Sequence, residues 1–116
     1  MSVAYHAGYV LDASVVAKWF TRHAEPDRTQ ALGLRRGYLE GRFRLLIPGL
    51  CLLEVANAIR FSPRARQEDV AAALDALRML DPEVQGTDWA LLNKANAVAW
   101  TWKTTLYDAL YVALAE

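Results

Sequence analysis

Asp12, Glu54 and Asp108 each interrupt a stretch that is otherwise almost wholly apolar: GYVLDASVVAKWF, LLIPGLCLLEVANAI and TTLYDALYVALA. An ionised carboxylate left unpaired in an apolar interior is strongly disfavoured, so acids in such runs demand a cation or a hydrogen-bonding partner. Three of them suggest a shared metal. With one cysteine and no paired histidines in the chain, the donors are carboxylate oxygens, a hard set that favours Mg2+ or Mn2+ over Zn2+. Such an ion polarises a phosphoryl oxygen, lowers the pKa of a bound water and offsets the charge of an in-line displacement, which makes phosphodiester cleavage its natural use. On the residues alone, helix capping and ion pairs with arginine remain open for the same three acids.

The elements that must position them alternate between strand and helix, with short connections and no internal repeat, which predicts a parallel sheet in an α/β fold. Tyr9 to Leu11 reads as a strand ending at Asp12, and Ser14 as the cap of a helix reaching Phe20. A second helix fits Pro26 to Glu40, with Gly41 as its stop, and Arg44 to Ile47 reads as the second strand. Pro48-Gly49 turns that strand into a helix reaching about Arg60, which Ser62 and Pro63 break. Helical spacing covers Glu68 to Leu80, a short strand lies near Val84, and a helix capped by Thr87 runs from about Asp88 to Ala99. The last helix begins near Thr104 or Thr105. Asp12 then falls at a strand's carboxyl end, with Glu54 and Asp108 about one turn into helices, and ligands of open α/β sheets bind at that edge. In LCLLEVANAI only Glu54 and Asn57 are polar, and they share a face; Thr104, Thr105 and Tyr111 line up similarly with Asp108.

A length of 116 residues and 54% hydrophobic content fit one folded domain. No apolar stretch approaches the roughly 18 residues of a membrane span. The start MSVAYHAGYV lacks the features of a secretory signal, so a soluble, cytoplasmic protein is expected. The zero net charge conceals an asymmetry: residues 35–66 carry net +5 and residues 67–116 net −5. Arginine's planar fork suits phosphate, so Arg42, Arg44, Arg60 and Arg64 are candidate RNA contacts.

VLDASVVAKWF, IPGLCLLEVANAI and YDALYVALAE, in this order and spacing, resemble the PIN domains, and among them the VapC-type ribonuclease toxins of type II toxin-antitoxin systems. The resemblance spans nearly the whole chain. It implies a three-layer α/β/α sandwich with a short central parallel sheet and about six helices, forming a single PIN domain over residues 1–116. It implies a metal-dependent endoribonuclease in which Asp12, Glu54 and Asp108 bind Mg2+ or Mn2+, with Ser14 and Thr105 as polar neighbours and Asn57 in support. RNA as substrate, a small VapB-like antitoxin as inhibitor and a homodimer come from the resemblance alone. Two departures stand out: family members usually continue into a strand bearing a fourth acid, and TWKTT precedes the last acid where the family often has glycine.

Other residues have plainer readings. Trp89, Trp100 and Trp102 are expected as core or interface anchors, Trp19 and Phe20 as core, Cys51 as a buried thiol, and His6 and His23 as surface residues. Two rival functions follow. One is a catalytically impaired PIN module that acts by binding an antitoxin or RNA. The other is a phosphotransfer domain with Asp12 as nucleophile, weakened because Ser14 stands where a second aspartate is usual.

Overall fold

After the exposed Arg44, LLIP is apolar because it becomes the central strand, covered on both faces. The computed structural model describes residues 8–20 and 27–116. Its elements are β1 (Gly8–Val10), α1 (Ala13–Ala17), α2 (Arg28–Leu39), β2 (Arg44–Pro48), α3 (Gly49–Arg60), α4 (Gln67–Leu80), β3 (Glu83–Gln85), α5 (Trp89–Trp102) and α6 (Leu106–Ala115). The three strands are parallel in the order β1-β2-β3. Val10 pairs with Leu46 and Leu46 with Glu83, so the carboxyl ends of all three strands share one edge. The expected sandwich is present, with three parallel strands and six helices among the described residues.

Side chains alternate across β2 and sort the core into two clusters. Leu45 and Ile47 join Val16, Trp19, Cys51, Val55, Ile59 and Leu77 in a large cluster built from α1, α2, α3 and α4. Across the sheet, α6 packs on β1 and β2, and α5 packs on α6. That second cluster is mostly small: Ala95, Val98, Ala99, Ala109, Leu110 and Ala113. Two tethers fasten the larger layer. The Trp19 indole N–H donates to the Ala31 carbonyl at 2.6 Å, and the Tyr38 hydroxyl donates to the Leu80 carbonyl at 2.6 Å.

The sequence places the elements correctly and several of their ends wrongly. The first helix is capped by Asp12, whose carboxylate accepts from the Ser14 N–H at 3.4 Å, so Ser14 is the donor and not the cap. Likewise Asp88, rather than Thr87, caps α5, accepting from the Leu91 N–H at 2.7 Å. α5 also runs three residues past Ala99, until Lys103 turns left-handed at φ 53°. Gly41 stops α2 as expected, with a φ of 74° that glycine adopts freely. The first and last residues of that prediction part company: α2 is described from Arg28, while Pro26, His6 and His23 lie outside the described residues.

Trp89, Trp100 and Trp102 are not core residues. They are 82%, 80% and 68% exposed, because α5 turns its alanines toward α6 and leaves its large rings outside. Trp19 is buried, Phe20 packs at the margin of the large cluster, and Cys51 is fully buried.

Candidate functional site

Asp12 lies two residues beyond the end of β1 and caps α1, its backbone carbonyl accepting from Val15 and Val16 at 3.0 and 3.2 Å. Glu54 is the sixth residue of α3, which springs from the carboxyl end of β2 without a linker. Asp108 sits in the first turn of α6. There the Thr105 hydroxyl caps the helix by accepting from the Asp108 N–H at 3.1 Å, and the Thr104 hydroxyl donates to the Asp108 carboxylate at 3.4 Å. A carboxylate in a helix's first turn is also favoured by the helix dipole.

Glu54 differs from the other two acids. It is half-buried in the middle of an apolar helix, caps nothing, and accepts a 2.6 Å hydrogen bond from the Tyr111 hydroxyl of α6. The periodicity of α6 puts Tyr111 on the face of Asp108, yet its partner is Glu54, on another helix. Each polar group is conspicuous on its largely apolar helix, but it is the packing of α6 against α3 that joins the two.

Cys51 is fully buried one turn before Glu54 on α3. Burial pushes its thiol up to about 11; the Tyr111 hydrogen bond opposes the shift, and the negative charges of Glu54 and Asp12 add to it. Both acids therefore act on the same buried sulfur. Tyr111 is raised as well, first by burial and then by its bond to Glu54. Asp108 lies three residues before Tyr111 on the same helix face, about 4.5 Å along the axis.

The donor types fit a hard divalent cation, since the thiol stays protonated and the described residues contain no histidine. Among the described residues, however, no three Asp, Glu, Cys or His side chains stand close enough to share one ion. Ser14 and Asn57 are exposed: Ser14 one turn position beyond Asp12, Asn57 one turn beyond Glu54.

The four arginines do not gather at this edge. Arg44 opens β2 opposite Gly8, at the amino end of the sheet, and makes two hydrogen bonds to Glu83 at 2.6 and 3.0 Å. Arg42 is paired with Glu40 at 2.7 Å. Arg60 ends α3, six residues and about 9 Å of helix beyond Glu54, with its guanidinium over the Phe61 ring. Arg64, at φ 60°, lines a cleft of about 570 Å3 between the ends of α3 and α4. Charge summed along the chain missed these pairings because Glu83 lies 39 residues from Arg44 and meets it only through the sheet.

No helix among the described residues is long and apolar enough to cross a membrane. Comparison with curated proteins gives no match. The family model of the PIN domain matches residues 9–116, and the chain belongs to the PIN domain family, whose fold is of the nuclease type.

Proposed function

We propose that this PIN domain is a Mg2+- or Mn2+-dependent endoribonuclease, with Asp12, Glu54 and Asp108 as its acids. The observation that carries the reading is Glu54. A half-buried carboxylate in the middle of a helix has no capping task, and Tyr111 fixes it in one orientation beside Cys51, the same thiol that feels Asp12. Mg2+ commonly takes only one or two carboxylates and completes its shell with waters and substrate phosphate, so it does not require three acids on one ion. Asp12 and Glu54 would hold the ion, with Asp108 on the α6 side of the substrate path. When bound, the ion supplies charge neutralisation at the phosphoryl group and a more acidic water. Tyr111 orients Glu54, and the Thr104 hydroxyl does the same for Asp108.

The finer reading as a VapC-type toxin, homodimeric and restrained by a small antitoxin, rests on the three motifs around these acids. The test is cleavage of a mixed structured RNA pool by the purified chain with Mg2+ or Mn2+ and with EDTA, beside Asp12→Asn. Metal-dependent cleavage that is lost in Asp12→Asn is the expected result. Cleavage that survives the substitution removes Asp12 from the site. A second reading, a binding module without catalysis, is favoured by the absence of a three-acid cluster among the described residues. RNA binding by a folded chain that cleaves nothing would select it.

A further inference from the structure

Where α5 meets α6, a notch of about 380 Å3 is lined by Asn96, Ala99, Trp100, Lys103, Thr104 and Leu106. Its position is telling, because Thr104 in its wall is the residue whose hydroxyl reaches the Asp108 carboxylate. The notch therefore opens beside the acid edge. Its chemistry is also mixed. Trp100, 80% exposed, offers an indole face; Asn96 offers an amide with donors and acceptors; and Lys103 forms no ion pair with any described residue. A groove for an apolar helix would be lined by apolar side chains alone. A ring, an amide and an ammonium match the face, the edge and the phosphate of a nucleotide.

The backbone adds a second, independent observation. Lys103 caps α5 in the left-handed conformation, φ 53° and ψ 48°, a position at which glycine is the common residue. A lysine retained under that strain keeps an ammonium at the mouth of the notch, and strained residues concentrate at functional positions.

We infer that this notch is a nucleobase subsite of the proposed nuclease: an unpaired base next to the cleaved phosphodiester stacks on Trp100, Asn96 meets its edge, and Lys103 holds the adjoining phosphate. The inference rests on the RNA-cleaving reading and adds where the strand lies and what selects it. Single-stranded RNA is the occupant, since a paired base has no free face to stack.

The test is fluorescence anisotropy with a labelled 2′-O-methyl RNA decamer in Mg2+, repeated with an abasic decamer of the same backbone. Trp100→Ala is expected to weaken decamer binding about tenfold. Trp100→Phe should keep most of the affinity, and the abasic decamer should not distinguish the variants. Trp102→Ala, exposed but outside the notch, should bind as the parent does. Decamer binding unchanged by Trp100→Ala overturns the subsite and leaves the nuclease reading standing. If that variant instead shifts the sedimentation of the chain while binding RNA normally, the face belongs to a second copy. No binding of either decamer by the parent chain overturns the RNA reading and the subsite together.

Discussion

The two sides of the sheet are packed by opposite rules. On the α1–α4 side the core is filled by large side chains: Val16, Trp19, Leu45, Ile47, Val55, Ile59 and Leu77 are all nearly or fully buried, although Leu53, Phe61 and Met79 face outward. On the α5–α6 side the buried residues are mainly alanines, while Trp89, Trp100, Trp102 and Tyr107 face outward. Alanine contacts let two helices approach closely but remove little apolar area from water, whereas the large cluster removes much more. The first side supplies the stability of the domain, and the second presents rings that packing did not consume. The two sides are joined at the seam, where Tyr111 of α6 reaches Glu54 of α3.

The division is broken most forcefully at Leu77, which is 1% exposed in the large cluster. Leu77→Ala should destabilise the fold by about 2–5 kcal/mol, the loss expected when a fully buried leucine leaves a cavity. Trp89→Ala removes a larger side chain, yet at 82% exposure it should change stability by less than about 0.5 kcal/mol. Urea midpoints for the two variants check this. Comparable losses would mean that the outward rings are part of the core after all.

Why the sequence yields one side and not the other follows from the same contrast. α4 carries its apolar residues on one stripe, so periodicity identifies both the helix and its buried face. WALLNKANAVAWTW is apolar nearly all round, and no periodicity decides whether its alanines or its tryptophans turn inward; the partner helix decides. The three acids stand out in the sequence because a lone charge in an apolar run is conspicuous, yet Asp12 and Asp108 are exposed and only Glu54 is half-buried. Tyr111 as the partner of Glu54 was not, since the two stand 57 residues apart and only packing joins them. Cap errors at Ser14 and Thr87 arose because each neighbours an aspartate that caps equally well, and a shift of one or two residues leaves no trace in the pattern.

Tyr111→Phe sharpens the comparison by cutting the link between the two sides. Without the hydroxyl, a half-buried carboxylate loses its donor, a loss of about 1–3 kcal/mol that should appear as weaker coupling of α6 to the rest in hydrogen exchange. Global unfolding with no separate loosening of α6 would show that the sides hold together without this bond. pH probes the same seam. The folded Cys51 keeps its proton up to about 11, whereas the unfolded thiol releases it at the ordinary, lower pKa. The unfolded chain therefore binds fewer protons in that window, and stability should fall as pH rises through it. Cys51→Ala should flatten this alkaline loss without abolishing it, because Tyr111 is raised too and titrates with the same sign. An unchanged slope would remove the thiol from the account.

The smallest expected effect has the opposite sign and bears most directly on why the second side looks as it does. Lys103 holds a left-handed backbone at the end of α5, and Lys103→Gly relieves that strain while giving back some unfolded-state entropy. A net gain of about 0.5–1 kcal/mol is expected, visible as a higher melting temperature. If the ammonium serves the notch, the same variant should bind the RNA decamer more weakly, and the abasic decamer equally so, with a salt dependence shallower by about one phosphate contact. Stability gained with binding intact would make Lys103 an unrelieved accident of the turn. Stability gained with binding lost would mean that the α5–α6 side gives up packing and backbone ease alike in order to present groups to a ligand.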